Sequence, residues 1–193
     1  MSRALALAVL AVATCAACQD AEHSQPEKEV YDRIVTLAPN LTELVFAVGA
    51  GDALVGVSAW SDYPPQALEL TVVGDAFAVD QEQLALVQPD LLLVWESGTP
   101  EHAVDELRKS GYAVETIRTR GLDDVVSALR KIGELTGRSL QAEKVAADFQ
   151  QALDELRYSQ RERPPIRVFY QVSARPLYTV NSEHYVSELI ELC

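Results

Sequence analysis

Strand-like and helix-like segments take turns along residues 33–138, and this alternation constrains the fold more than any other feature of the chain. The segment "DLLLVW" at 90–95 is almost continuously apolar, which is typical of a strand covered on both faces of a parallel sheet. Shorter strand-like runs stand at 33–37, 53–57, 71–74 and 112–117. Strands that alternate with helices predict an α/β layer structure with a parallel sheet.

Helical patterns fill the gaps between these strands. Asn40 followed by Glu43 predicts a capped helix that closes near Gly49 or Gly51, and Asp80 predicts a helix that runs through Val87. Two further helices are predicted over 100–111 and 121–137. Neither a GxGxxG nor a GxxxxGK[ST] motif follows any strand, so the sequence gives no support for a dinucleotide or P-loop site.

A long helix is predicted from Ser139 to about Gln160. One apolar stripe runs along it: Val145, Phe149, Ala152, Leu153 and Leu156. The segment "RERPP" ends this helix, "IRVFYQV" at 166–172 predicts a new strand, and a last helix is predicted over 184–192. A second domain therefore starts near Ile166, and its residues 166–193 are too few to bury a core of their own.

The N-terminus has the features of an export signal over residues 1–18. Arg3 precedes an apolar run to Thr14, and that run is too short to cross a bilayer. The segment "CAAC" ending at Cys18 resembles the lipobox of bacterial lipoproteins, with Cys15 as a poorer competing match. Plain cleavage near Ala16 or Ala17 is the alternative to lipidation of Cys18. Residues 19–32 are polar and aperiodic, which predicts a flexible tether.

The chain is acidic, with a formal net charge of -13 in 193 residues. Nucleic-acid binding needs clustered Lys and Arg, and no basic run occurs, so a nucleic-acid partner is not expected. The export signal places the protein in the periplasm or cell envelope. Contact with a membrane is expected only through a lipid anchor.

Large aromatic residues fall at the ends of successive predicted strands. Trp60, Phe77 and Trp95 follow or close the second, third and fourth strands, and Asp62 and Tyr63 lie in the same break as Trp60. Ligands of open parallel sheets bind outside the carboxyl ends of the strands, so these rings predict an aromatic crevice for a large, flat ligand. The alternatives are structural: Trp95 covering a helix, Tyr63 packing on the adjacent prolines, and "DYPP" forming a stiff turn.

The segments "RIVTLAPNLTELVFAVGAGDALVGVSAWSDYPPQA" and "VVGDAFAVDQEQLALVQPDLLLVW" resemble the first lobe of periplasmic binding proteins that feed cobalamin and ferric-siderophore ABC importers. The resemblance covers about residues 33–193, and "SDYPPQA" is closest to the cobalamin-binding branch. It implies two Rossmann-like lobes joined by one rigid helix, here an N-terminal lobe at 33–138, the helix at 139–160 and an incomplete second lobe at 166–193. The ligand is then held between the lobes.

The resemblance also implies roles for individual residues. The aromatic contacts of the family fall on Trp60, Trp95 and Tyr178, and a fourth such position is Ala76 here, next to Phe77. The candidate ligand-binding residues are Trp60, Trp95, Tyr178, Phe77, Tyr63, Asp62, Pro39 and Asn40.

Glu82 matches the carboxylate with which these proteins dock onto arginines of the permease. The alternative for Glu82 is an ordinary carboxylate at a helix N-terminus, where the helix dipole favours it.

Family members continue past "ELC" into most of a second lobe, whose late helix supplies a partner cysteine for the position of Cys193. We therefore expect a truncated chain, in which Cys193 has no disulfide partner and a second docking glutamate and the far wall of the cleft are missing. Such a chain is expected to bind its ligand poorly, with an affinity weaker than micromolar.

An enzyme is the main rival class of protein. The chain has no GxSxG motif, and His23, His102 and His184 are dispersed, which disfavours a hydrolase and a zinc or manganese receptor alike. We expect no catalytic residue, no metal site and no cofactor. Cobalamin is the expected ligand; a ferric siderophore or haem is the alternative, followed by a membrane-tethered module without a transport role.

Overall fold

Five parallel strands form a single sheet in the computed structural model, which describes residues 30–75 and 78–193. The strand order is β3-β2-β1-β4-β5, which confirms the predicted parallel α/β class. The strands are β1 Ile34–Thr36, β2 Leu54–Val57, β3 Thr71–Val72, β4 Leu91–Trp95 and β5 Val114–Ile117. The predicted export signal, Cys18, most of the tether, and Ala76 with Phe77 lie outside the described residues.

Helices cover both faces of the sheet, and this explains why β4 is apolar at every position. Leu91 and Leu93 point into a core shared with α1 and α4, whereas Leu92 and Val94 point into a second core shared with α2 and α3. The helices are α1 Pro39–Ala47, α2 Gln81–Val87, α3 Glu101–Lys109, α4 Leu122–Leu135, α5 Ser139–Gln160 and α6 Tyr185–Leu192.

The start of α1 differs from the prediction, while the start of α2 agrees with it. Helix α1 begins at Pro39, because proline at the first helical position has its φ angle fixed at a helical value and needs no hydrogen-bond partner for its nitrogen. Asn40 is therefore inside the helix and is not its cap. Asp80 does cap α2, since its Oδ1 accepts hydrogen bonds from the backbone N–H groups of Glu82 and Gln83, both at 3.0 Å.

Helix α5 has the predicted bounds and packs on α4. The two helices approach most closely where Gly133 of α4 faces Ala142 of α5, because a side chain at position 133 would collide with the Ala142 methyl group. A bidentate ion pair between Arg130 and Glu143, with N–O distances of 2.7 and 2.8 Å, joins their exposed surfaces. The predicted apolar stripe of α5 includes one residue too many, because Ala152 is exposed.

The predicted strand at 166–172 is absent: this segment is exposed and assigned to neither helix nor strand. A strand needs a neighbour to satisfy its backbone, and within 30–75 and 78–193 only Val172 of this segment donates a backbone hydrogen bond, to the Tyr178 carbonyl at 3.0 Å. The chain instead forms a short antiparallel hairpin from β6 Ser173–Ala174 and β7 Leu177–Tyr178. Helix α6 then returns to the first lobe, where Glu188 Oε2 accepts a hydrogen bond from the Leu122 N–H of α4 at 2.7 Å.

Candidate functional site

The carboxyl ends of the parallel strands form one edge of the sheet, which we call the rim. The chain adds β2 and β3 on one side of β1 and then β4 and β5 on the other, so the direction of the connections reverses between β1 and β4. Ligands of open α/β sheets bind at such a switch point. Four candidate residues lie at the rim: Pro39 and Asn40 after β1, Trp60 after β2, and Trp95 at the end of β4.

Trp60 is the most exposed large ring at the rim, with 85% of its surface accessible. Its backbone has a φ angle of 70°, in the left-handed region that residues with a Cβ rarely adopt. Two backbone hydrogen bonds hold the flanking residues, from the Ala59 N–H to the Gly74 carbonyl at 2.7 Å and from the Ser61 N–H to the Ser58 carbonyl at 3.3 Å. The fold therefore accepts a strained backbone and displays an indole to solvent.

Four buried hydroxyl groups fasten the Trp60 loop to the sheet, and we call them the hydroxyl chain. Thr36 Oγ1 of β1 lies 2.7 Å from Thr42 Oγ1 of α1, which donates to Ser61 Oγ at 3.0 Å. Ser61 Oγ lies 3.3 Å from Ser58 Oγ. Because these groups are buried, the loop cannot move without leaving hydroxyls unpaired, and this cost holds Trp60 in place.

Trp95 is less open than the sequence led us to expect. Its indole is half-buried against the core shared with α1 and α4, and Gly98 lies against the ring so closely that no Cβ fits there. The ring Nε1 and the neighbouring Thr99 Oγ1 are the buried side-chain polar atoms that find no hydrogen-bond partner within the described residues. Trp95 thus serves the core as well as the rim.

Asp62, Tyr63 and Tyr178 are exposed, Pro39 and Asn40 are half-buried, and Phe77 lies outside the described residues. Tyr63 is 64% exposed and follows the exposed Asp62, and Tyr178 on β7 is 52% exposed. Asn40 Nδ2 donates to Thr119 Oγ1, beyond β5, at 3.4 Å. The one aromatic ring pair recorded in the described ranges is His184 with Tyr185, so none of the candidate rings is occupied by another.

Two arginines that the sequence analysis missed lie at the rim after β5. Arg120 makes a bidentate ion pair with Glu96, which follows β4, at 2.9 and 3.0 Å, and Arg118 pairs with Asp124 at 2.9 Å. The segment "RTRGLDD" carried this signal, because it places arginines between a strand end and the acidic first turn of a helix. Both guanidinium groups are therefore already neutralised by carboxylates.

Asp124 is held in its charged form. Burial raises the pKa of Asp124, but hydrogen bonds from the Gly121 and Arg120 N–H groups and the charge of Arg118 outweigh burial and hold this pKa below its ordinary value. The carboxylate thereby ties the loop after β5 to the start of α4.

A small pocket of about 240 Å³ opens beside Trp60. Its lining consists of Ser58, Trp60, Ser61, Asp62, Ala67, Leu68, Leu70 and Val72. Two serines of the hydroxyl chain therefore line a pocket whose other walls are largely apolar, and the sequence analysis named neither serine. A larger groove of about 690 Å³ lies along α4 and α5 and contains none of the candidate residues.

Comparison with known proteins settles the family. The periplasmic binding protein family matches residues 34–192, which is most of the chain. The chain belongs to this family. A vitamin B12-binding protein of Vibrio cholerae serotype O1 is 38% identical over 162 residues, which are 84% of this chain and 59% of that protein. One from Pectobacterium atrosepticum is 34% identical over 166 residues, covering 83% and 60%.

Solved structures of periplasmic binding proteins show the same fold. The periplasmic vitamin B12 binding protein of Vibrio cholerae superposes with a TM-score of 0.77 at 37% identity, over 84% of this chain and 64% of that one. A periplasmic heme binding protein from Pseudomonas aeruginosa superposes with a TM-score of 0.62 at 29% identity, over 70% and 50%. The chain thus spans about three fifths of the length of the curated relatives it matches.

Glu82, the candidate docking residue of this periplasmic binding protein, is exposed in the first turn of α2. Asp80 binds the Glu82 N–H and so fixes where the helix starts. This geometry fits a docking carboxylate and equally a carboxylate stabilised by the helix dipole.

Among 30–75 and 78–193, no three His, Cys, Asp or Glu side chains gather in a way that could hold a metal ion. None of the described helices has both the length and the apolar character needed to span a bilayer. Cys193 is exposed and forms no disulfide within the part of the chain that the structure describes.

Proposed function

We propose that this chain is the first lobe, with the start of the second, of an extracytoplasmic solute-binding protein that captures cobalamin and delivers it to an ABC importer. Trp60 carries the proposal, because an 85% exposed indole on a strained backbone at the rim has no structural task within its own lobe. A flat corrinoid face gives that ring a partner, and stacked aromatic groups contribute about 0.5 to 1.5 kcal/mol beyond their buried area. The relatives named for vitamin B12 support this ligand.

Haem or a ferric siderophore is the second candidate ligand. It is supported by structural relatives that are named as heme binding proteins, from Pseudomonas aeruginosa and from Vibrio cholerae. Such ligands commonly carry carboxylates, which need cationic partners. Arg118 and Arg120 at the rim are both paired with acidic residues, so the charge pattern favours a neutral corrinoid periphery.

A titration of the purified chain with cyanocobalamin, hemin and a ferric siderophore tests the proposal. We expect cyanocobalamin to quench tryptophan fluorescence, and Trp60→Phe to remove most of this quenching. Because the chain has two tryptophans, the Trp60→Phe signal reports Trp95 alone. If hemin or the siderophore binds and cyanocobalamin does not bind up to millimolar concentration, haem or a siderophore becomes the favoured ligand and cobalamin is rejected.

We propose further that Glu82 docks onto arginines of the importer's permease and that Cys18 carries a lipid anchor in the periplasm or cell envelope. Glu82→Lys is expected to abolish stimulation of a cobalamin importer's ATPase activity in liposomes and to leave cyanocobalamin affinity unchanged. Gln81→Lys, one residue earlier in the same exposed turn, is the matched control for added charge. Mass spectrometry of the wild type and of Cys18→Ala tests the anchor, and an unmodified wild-type N-terminus would exclude it.

A further inference from the structure

One hydroxyl hydrogen at the pocket beside Trp60 has no acceptor among the described residues. The single hydroxyl hydrogen of Thr42 goes to Ser61 at 3.0 Å or to the Ala38 carbonyl at 3.5 Å, and in either case Thr36 must be the donor in its 2.7 Å contact with Thr42. The remaining contact, at 3.3 Å, joins Ser61 and Ser58. Whichever of these two serines donates to the other, the second serine keeps a hydrogen that no described residue accepts.

Both serines are deeply buried and both line the pocket. Ser58 is 1% and Ser61 7% exposed, so bulk water does not satisfy the spare hydrogen freely. A buried donor without an acceptor costs free energy, which a ligand oxygen placed in the pocket would recover. The spare hydrogen therefore belongs to a buried residue that lines the pocket.

The remaining lining selects the kind of ligand group. Asp62 supplies a carboxylate acceptor, and the other walls are apolar side chains and the indole of Trp60. A carboxylate would be repelled by Asp62, and an ammonium group has no atom to accept from the serine. A carboxamide has both a carbonyl oxygen for the serine and an NH₂ group for Asp62.

We propose that this pocket is a subsite for a carboxamide side chain of the ligand. The assignment rests on the proposed function, since a corrinoid bears carboxamides around its ring whereas haem bears carboxylates. A volume of about 240 Å³ admits a short amide chain, given that one water occupies roughly 30 Å³. The subsite would fix the rotation of the corrinoid on Trp60.

The decisive variant is the double substitution Ser58→Ala with Ser61→Ala. Ser58→Ala removes only the end of the hydroxyl chain and leaves Ser61 with its Thr42 hydrogen bond and a free hydrogen, so this single variant is expected to bind cyanocobalamin within about two-fold of the wild type in equilibrium dialysis. The double variant loses the donor and is expected to bind about five- to ten-fold more weakly, the usual effect of one neutral hydrogen bond. Hemin affinity, measured on the same proteins, should not change.

Three results of these dialysis measurements would overturn the subsite. A double variant that binds cyanocobalamin like the wild type shows that the donor is not used. A Ser58→Ala variant as weak as the double variant, or an equal loss of hemin affinity in the double variant, shows that the serines only hold the Trp60 loop.

A second measurement does not require cobalamin to bind. Propionamide, titrated into the isotope-labelled chain, is expected to shift the backbone amide NMR signals of Ser58 and Ser61, and propionate is not. If propionamide shifts these signals in a chain that does not bind cyanocobalamin, the carboxamide subsite is supported and cobalamin is rejected as the ligand. Equal shifts with both small molecules would overturn the carboxamide assignment.

Discussion

Trp60 shows how one residue can serve function at the expense of stability. Its left-handed backbone places the ring outside the core, where it buries almost nothing. The hydroxyl chain supplies the compensation, because it ties the strained loop to β1 and α1 through groups that are already buried. Strain and compensation at one point are typical of ligand sites.

Replacing Trp60 with glycine should therefore give a more stable fold than replacing it with alanine, and both changes remove the binding surface. We expect Trp60→Gly to be about 0.5 to 1 kcal/mol more stable than Trp60→Ala, because both variants lack the ring and only alanine keeps the strain of a positive φ. Urea unfolding of the two variants measures the difference. If the two midpoints coincide, Trp60 is not strained.

Asp124 predicts a pH dependence of stability. Its pKa is lower in the folded than in the unfolded chain, so the folded state holds the proton less well and Asp124 stabilises the fold above its unfolded pKa of about 4. That stabilisation is lost as the pH falls through the folded pKa. We expect Asp124→Asn to cost about 1 kcal/mol at pH 7 and progressively less as the pH falls below about 4, the unfolded pKa of an aspartate.

Chemical unfolding at several pH values checks this expectation. Asp123→Asn is the control, since Asp123 is exposed in the same helical turn and takes no hydrogen bond from the loop after β5. A cost for Asp124→Asn that does not change with pH would show that the charge is unimportant.

The sequence predicted where the candidate site lies better than it predicted which contacts hold the site together. Trp60 and Trp95 were assigned to the rim because parallel strands end at one edge. The hydroxyl chain was missed because Thr36, Thr42, Ser58 and Ser61 are common residues whose pairing depends on three separate elements. The partial burial of Trp95 was also missed, since no local pattern shows that Gly98 will lie against its ring.

At the scale of elements, the seam between α4 and α5 depends on a residue that has no side chain, Gly133. Gly133 and Ala142 meet there without space for another methyl group. The seam also carries the Arg130–Glu143 ion pair, which keeps the pKa of Glu143 below its ordinary value. Small residues inside and paired charges outside fix the position of α5.

Substitution at this seam tests the close approach. Gly133→Ala is expected to destabilise the fold by about 1 to 3 kcal/mol through overpacking, even though alanine is the better helix former. The double variant Gly133→Ala with Ala142→Gly should recover part of this loss, because it moves the methyl group across the seam. Thermal unfolding gives both values, and a stabilised single variant would contradict the packing argument.

Elements were predictable where the signal is local. The bounds of α5 agree because its apolar stripe and the flanking "RERPP" lie within the helix's own sequence. The strand at 166–172 was wrong because "IRVFYQV" has strand composition, whereas strand formation needs a second strand beside it. Composition makes a strand favourable, but the strand forms only when its backbone pairs with a neighbouring strand.

At the scale of the whole molecule, stability is distributed unevenly. The sheet from β1 to β5 lies between two cores, whereas residues 161–172 are exposed throughout. The second-lobe segment is attached by α6, which packs on α4 and α5. Cooperative unfolding should therefore involve the first lobe and α5, with 161–183 opening separately.

Hydrogen exchange provides the measurement. None of the amides of residues 166–171 donates a hydrogen bond to a residue in the described ranges, so we expect complete deuterium uptake there within seconds. The amides of β4 should exchange only by global unfolding, because β4 is paired on both sides. Protection of 166–171 that rises with protein concentration would mean that two copies pair through this segment.

The hydrogen bond from Leu122 to Glu188 has a consequence for the geometry of capture. A carboxylate from the last helix sits on the first free amide of α4, beside the rim. In the proposed two-lobe receptor, this hydrogen bond would fix the angle at which the second lobe leaves the first. The contact would therefore help to set the width of the receptor's cleft before a solute binds.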